Sequence, residues 1–194
     1  MEMAAGPSEA KRRILEAALQ VVTKDPGATA TVDQIAAAAG CAKGLVHYHF
    51  KTKDALLAEV AASLWSDRAR EWRHALSHRD PGSALEAAWR LLQAEAADGR
   101  IRAAAALGLS PLAMAGQSVR HGRADLARAL ADGLVELFSH MGCTTTVPPS
   151  EIAALLAALI EGMGLQLAGG EPAHQLEPAW SAFWAAALSL TRAA

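Results

Sequence analysis

The residues best suited to chemistry lie between Gly40 and Lys53, a stretch that holds lysines, histidines and a tyrosine but no acid. Lysine ammonium groups bind phosphate oxygens, and histidine and tyrosine tips hydrogen-bond to base edges. The combination is therefore suited to a nucleic acid. Its cationic and hydrogen-bonding members are Lys43, His47, Tyr48, His49, Lys51 and Lys53.

The histidines do not form a convincing metal site. His47 and His49 are two residues apart, which places them about 200° apart around a helix, so they cannot easily bind one ion. His74 and His78 are four residues apart, but no nearby acid completes a ligand set. We expect partly exposed helical histidines and no metal.

The sequence shows no catalytic motif. It has no G-x-S-x-G elbow, H-E-x-x-H pair, glycine-rich phosphate loop or Cys-His dyad. Cys41 and Cys143 are far apart and are expected to be reduced thiols. The sequence therefore predicts a protein that is not an enzyme and needs no cofactor, with a small helical enzyme as the weakest alternative.

The composition favours an all-α fold in the cytoplasm. Of 194 residues 47 are Ala, whereas Tyr and Phe together number four, which favours helices over strands. The longest stretch without charge, Ala103 to Val119, is shorter than a membrane span. The N-terminus has acids where a secretory signal has basic residues, so neither a membrane helix nor secretion is predicted.

Three helices are predicted to position the basic stretch. The first begins at about Ala10 and ends before Pro26-Gly27; the second begins at Thr31, with Gln34 completing a capping box. Gly40 ends the second helix in a tight turn. The third, Ala42 to Phe50, completes a helix-turn-helix pattern, in which the last helix enters the major groove of DNA.

The third helix has two distinct faces at about 100° per residue. Its inner face is mostly apolar and its outer face carries polar tips beside a glycine. The inner face comprises Ala42, Val46, His49 and Phe50, and the outer face comprises Lys43, Gly44, His47 and Tyr48.

The net charge of −2 is divided unevenly. Residues 1–53 carry seven basic and five acidic side chains, a net +2, whereas the remainder carries 11 and 15, a net −4. A basic head on an acidic body directs one end of the molecule toward phosphates. Lys11, Arg12 and Arg13 are candidates for further contacts to the DNA backbone.

The segments RRILEAALQVV and TVDQIAAAAGCAKGLVHYHFKTKDALL resemble the N-terminal domain of the TetR family of bacterial transcriptional regulators. The resemblance covers about Lys11 to Leu57. It implies a homodimer that binds a palindromic double-stranded DNA operator, usually as a repressor, and releases it when a small molecule enters the C-terminal domain.

The resemblance also implies roles for individual residues. Four positions depart from its commonest pattern, namely Ala42, Leu45, Val46 and His47, so the operator cannot be copied from a relative. Val46 and Phe50 would hold the third helix in place. The implied DNA-binding residues are Thr31, Lys43, Gly44, Leu45, His47, Tyr48 and Lys53.

Residues 54–194 are predicted to form a helical ligand-binding and dimerisation domain, after a DNA-binding domain at 1–53 that begins with a flexible tail at 1–9. About nine helices are expected in all. The segment Ile101 to Gln117, interrupted by Gly108 and Pro111, is predicted to be irregular. The expected helices of the body cover 54–78, 83–97, 118–141, a segment opening at Ser150 and a final one after Pro172.

The last two helices are the most apolar, and in the TetR family such helices pair with their symmetry mates. Packing within one chain is the alternative explanation. The predicted interface residues are Leu155, Leu159, Met163, Trp180, Trp184 and Leu188.

The sequence does not distinguish a ligand pocket from an ordinary core, because large side chains at helical spacing form both. A mostly apolar or aromatic ligand is expected. A helical small-molecule-binding protein without operator binding is the main alternative function. The candidate pocket residues are Trp65, Trp72, Trp89, Met114 and Met163.

Overall fold

A computed structural model describes residues 7–24, 30–109 and 117–194, and these form nine helices and two short strands. The all-α prediction is confirmed apart from one small two-stranded sheet. The helices are α1 (Pro7–Lys24), α2 (Val32–Ala38), α3 (Lys43–Phe50), α4 (Lys53–Leu76), α5 (Pro81–Ala97), α6 (Arg100–Leu109), α7 (Gln117–His140), α8 (Pro149–Ala168) and α9 (Ala173–Ser189), and the strands are β1 (Cys143–Thr145) and β2 (Thr191–Ala193).

Helices α1, α2 and α3 form the N-terminal head. The predicted capping box is present: the Gln34 backbone N–H donates to the Thr31 hydroxyl, and the Thr31 backbone N–H donates to the Gln34 side chain. Ile14, Ile35 and Phe50 are buried between the three helices. Because α1 begins at Pro7, residues 7–9 belong to a helix and not to the predicted tail.

Helix α4 runs from the head into the body. It begins directly after α3, where the Thr52 hydroxyl accepts a hydrogen bond from the Ala55 backbone N–H. It packs along α7 at close range, because a Cβ on Gly122 would lie 2.5 Å from the Cβ of Trp65. The body core therefore lies between these two 24-residue helices.

Helix α6 corrects the sequence-based prediction that the chain is irregular from Ile101 onward. Residues 100–109 are helical even though Gly108 interrupts their apolar pattern, and residues 110–116 lie outside the described residues. Gly99, with φ +86°, leads into α6, and a Cβ there would lie 2.4 Å from the carbonyl oxygen of Thr23. One end of α6 therefore rests on the end of α1 in the head.

Helices α8 and α9 complete the body, and a two-stranded antiparallel sheet pairs the segment before α8 with the segment after α9. Cys143 pairs with Ala193 and Thr145 with Thr191 in this sheet, which the sequence did not predict. In the part of the chain that the structure describes, α8 is the one helix long and apolar enough to cross a membrane, and a third of it is buried within the protein.

Candidate nucleic-acid interface

Helix α3 presents its predicted outer face to solvent. Val46 and Phe50 are buried against the head, which fixes the rotation of the helix. His47 and Tyr48 are exposed, and Tyr48 retains 75% of its accessible surface. A Cβ on Gly44 would meet no atom within 4 Å, so the face is open beside the two rings. This arrangement leaves polar and aromatic tips free to enter a groove.

Lys43 stands at the beginning of α3 and is held by an acid from α2. Its Nζ lies 2.9 Å from Oδ2 of Asp33, and both side chains are exposed. Sequence reasoning overlooked Asp33, because the absence of acids was noted only between Gly40 and Lys53. An exposed pair of this kind is worth at most about 1 kcal/mol, so a phosphate can replace the carboxylate.

The remaining predicted contact residues surround this face. Thr31 is exposed, Leu45 and Lys53 are half-buried, and the Thr31 hydroxyl serves the capping box. His49 is also half-buried, with its ring 5.1 Å from that of Tyr48 in an edge-to-face arrangement. Tyr48 therefore extends from α3 against a fixed neighbouring ring.

The cations of α1 are engaged within the head. Lys11 pairs with Glu59 of α4 at 2.7 Å and lies 5.4 Å from the centre of the Phe50 ring. Arg13 donates to the carbonyl oxygen of Ala39. These two side chains connect α1 to its neighbouring helices.

Arg12 is held within α1 itself. It pairs with Glu9 and Glu16, and the hydrogen bond to Glu9 makes the largest contribution to raising the pKa of Arg12. Lys11, Arg12 and Arg13 therefore already have partners within the protein.

Residues 14–60 match the sequence model of the family described as "Bacterial regulatory proteins, tetR family". The head is therefore similar to the DNA-binding domain of TetR-family regulators. It is 43% identical over 60 residues to the HTH-type transcriptional regulator SrpR of Pseudomonas putida, and equally to the uncharacterized HTH-type regulator TtgW of the same species. These matches cover 31% of this chain but only 28% and 45% of those relatives, so they concern the DNA-binding head.

Solved TetR-family structures share the whole fold. A putative TetR-family regulator from Mesorhizobium loti superposes with a TM-score of 0.76 at 19% identity, covering 97% of this chain and 99% of that one. A transcriptional regulator from Rhodococcus sp. RHA1 superposes with a TM-score of 0.72 at 26% identity, covering 93% and 97%. The resemblance noted from the sequence is confirmed for the head by the family model, and the fold of the whole chain is shared with solved regulators.

Most of the predicted pocket residues that the structure describes are buried in the core of the body. Trp65 and Trp72 are fully buried, and the Trp72 indole donates to Oε2 of Glu95. Met163 is buried too, whereas Trp89 is half-buried with its ring 5.5 Å from that of Trp180. The other candidate, Met114, lies outside the described residues.

The body instead contains a buried ion pair that sequence reasoning missed. Arg68 of α4 donates to both carboxylate oxygens of Glu95 in α5, from Nε at 2.9 Å and from Nη2 at 3.1 Å. Both side chains are almost fully buried. Two charged residues 27 positions apart give no signal of pairing in the sequence. The signal that could have found them is that each lies among the apolar residues of its helix.

The predicted interface residues separate into two groups. Met163, Trp180 and Trp184 are buried within the single chain. Leu155 and Leu188 are exposed and Leu159 is half-buried, so these three remain accessible to a partner. Leu165, which was not predicted, is exposed as well.

Proposed function

We propose that this TetR-family chain is a homodimeric transcriptional repressor that binds a palindromic operator and releases it when a small molecule binds the body. The observation that carries the proposal is the face of α3, where exposed His47 and Tyr48 flank the open surface of Gly44 on a helix anchored by Val46. A rigid helix with free polar tips and no bulky obstruction meets the requirements of major-groove recognition.

Base contacts are proposed for His47 and Tyr48, with Leu45 against a thymine methyl group. Gly44 allows the helix to approach the DNA backbone closely, and Lys43 binds a phosphate after leaving Asp33. Thr31 and Lys53, at the starts of α2 and α4, bind the flanking phosphates.

Dimerisation is proposed through α8 and α9. Every third or fourth residue of α8 leaves an exposed apolar or small side chain, which produces a continuous stripe. The exposed members of this stripe, called the seam below, are Ala154, Leu155, Ala158, Gly162 and Leu165. Small residues let two helices approach closely, and a two-fold axis there would pair each seam with its own copy. The seam also accounts for the apolar character of α8 without a membrane, consistent with a cytoplasmic protein.

Release of the operator is proposed to pass through α4 and α6. Helix α4 is continuous from Lys53, beside the recognition helix, to the body. At α6, Arg100 pairs with Glu71 of α4 and with Asp98, each at 2.7 Å, while Gly99 abuts Thr23 of the head. Burial lowers the pKa of Arg100, but hydrogen bonds to these carboxylates outweigh it, and the pKa is raised overall.

A ligand that favours one arrangement of these helices would change the separation of the two recognition helices. Operator binding needs that separation to be about 34 Å, one turn of DNA. The ligand would therefore act by a population shift toward a form that does not fit the operator.

The test is selection of bound fragments from genomic DNA, followed by footprinting of the strongest fragment. We expect two protected half-sites related by a dyad and centred about one helical turn, or a multiple of it, apart. Protection of a single unrepeated site would contradict the dimeric operator. The absence of any enriched fragment would favour the alternative of a ligand-binding protein without operator binding.

A further inference from the structure

A cavity of about 130 Å³ lies in the body, between α4, α6, α7 and α8. Its apolar wall comprises Ile101, Ala104, Ala105 and Leu165. Three charged residues, Arg68, Arg123 and Glu161, complete the lining. The volume is close to the roughly 150 Å³ that accommodates a single six-membered ring. The cavity is thus ring-sized, with charged groups at its edge.

Arg68, which lines this cavity, has one unused donor. Its Nε and Nη2 are committed to Glu95, and Nη1 has no hydrogen-bond partner among the described residues although the side chain is buried. The guanidinium is planar and rigid, and Glu95 lies at its Nε–Nη2 edge. The Glu95 carboxylate therefore cannot also accept a hydrogen bond from Nη1. A buried charged donor without an acceptor is unfavourable, and an acceptor atom in the cavity would relieve that cost.

Arg123 adds a second guanidinium to the same region. Its Cζ lies 5.6 Å from the centre of the Trp65 ring, and the Cζ of Arg68 lies 4.9 Å from it. Arg123 also extends over Gly108, where a Cβ would lie 2.7 Å from Nη2 of Arg123. Within the described residues no carboxylate forms an ion pair with Arg123, whereas Arg68 has Glu95. Arg123 and Nη1 of Arg68 therefore both remain available to an acceptor placed in the cavity.

Glu161 sets a second chemical requirement for a ligand in this cavity, besides an acceptor for the arginines. This half-buried carboxylate of α8 lines the cavity and forms no ion pair among the described residues. A carboxylate accepts hydrogen bonds, so it favours a ligand that carries a donor away from its anionic group. It also disfavours a second anionic group on the ligand.

We propose that the cavity binds a ring-sized monocarboxylic acid that also carries a hydroxyl group. The carboxylate accepts hydrogen bonds from Nη1 of Arg68 and from Arg123, the ring packs on the alanines of α6, and the hydroxyl donates to Glu161. The role of this acid as the effector of the regulator rests on the function proposed above. The sequence predicted a mostly apolar or aromatic ligand, and the cavity restricts that prediction to one chemical class.

The test is calorimetric titration of the full chain with 4-hydroxybenzoate, with benzoate and phenol as matched probes. We expect 4-hydroxybenzoate to bind at least about tenfold more tightly than either, because benzoate lacks the hydroxyl that donates to Glu161 and phenol lacks the carboxylate that accepts from Arg68 and Arg123. Equal binding of phenol, or no binding of either acid, would overturn the assignment.

Arginine variants test whether the acid binds in this cavity. Arg123→Gln should weaken 4-hydroxybenzoate binding by about tenfold or more, whereas Arg128→Gln, an exposed arginine on the same helix outside the cavity, should leave it unchanged. Arg68→Lys retains the charge opposite Glu95 but removes Nη1, and the same loss is expected. If Arg68→Lys does not fold, Arg123→Gln decides alone, and unaltered binding by that variant refutes the site.

Operator binding is measured separately, without the acid. Loss of acid binding by a chain that still binds its operator would refute only the cavity assignment. Acid binding by a chain that selects no DNA would refute the repressor and leave the cavity assignment standing.

Discussion

Leu155 provides a sensitive test of the proposed dimer, because it belongs to the seam and retains 61% of its accessible surface in the single chain. Burying a whole leucine side chain is worth about 1.5–3 kcal/mol, so burial of that exposed fraction is worth about 0.9–1.8 kcal/mol per protomer. A two-fold interface contains the residue twice, which amounts to roughly 2–4 kcal/mol or about 30- to 700-fold in the dimer dissociation constant. Leu155→Arg should weaken the dimer by at least this factor, since the substitution also brings a charge to the interface.

The assay is sedimentation velocity over a range of concentrations, with circular dichroism as the measure of folding. Val135→Arg is the matched control, because Val135 is 50% exposed on α7 and does not belong to the seam. We expect Leu155→Arg to sediment as a helical monomer and Val135→Arg as a dimer. Equal dissociation constants for the two variants would refute the seam, and loss of helicity in Leu155→Arg would contradict its exposed placement.

Three further predictions concern the head, its connection to the body and one helix cap. Asp33→Asn should free Lys43 and strengthen DNA binding severalfold in fluorescence anisotropy without changing the melting temperature, and unchanged binding would show that the pair does not restrain Lys43. Gly99→Ala places a Cβ against Thr23 at positive φ, so urea unfolding should show a loss of about 1–3 kcal/mol, and a neutral result would contradict the tight contact between head and body. The pKa of Asp80 is lowered, chiefly by the hydrogen bond from the Ser83 hydroxyl and then by the hydrogen bond from the Ser83 backbone N–H. The charged form of Asp80 therefore stabilises the fold at pH values above the pKa of the unfolded chain. This stabilisation is lost as the pH falls through the lower pKa of the folded state. Asp80→Asn should therefore have a flatter melting-temperature profile in this acid range, and identical profiles would refute the role of that charge.

The head was predictable because its signals are local. The capping box of Thr31 and Gln34 spans three residues, and the burial of Val46 and Phe50 follows from a helical period read over nine residues. Both features depend only on backbone geometry that every helix shares. The structure therefore begins α3 one residue later than predicted and leaves Ala42 exposed, but it buries Val46 and Phe50 as predicted.

The features that the sequence could not predict depend on how helices meet. Asp33 reaches Lys43 only because of the angle between α2 and α3, and Arg68 reaches Glu95 only because α4 packs on α5. Periodicity identifies which face of a helix is buried, but it does not distinguish burial within one chain from burial between two. For that reason Trp184, which is buried in the single chain, and Leu155, which is exposed, were assigned to the same interface.

The central claim is that α3 reads a specific operator, and the most direct measurement is fluorescence anisotropy with DNA from upstream of the chain's own gene. The account predicts tight binding that weakens steeply with salt, since several phosphate contacts release counterions. His47→Ala and Tyr48→Ala should bind this DNA no better than unrelated DNA while remaining helical dimers. Equal preference for the upstream DNA in the wild type and both variants, or binding insensitive to salt, would contradict the account.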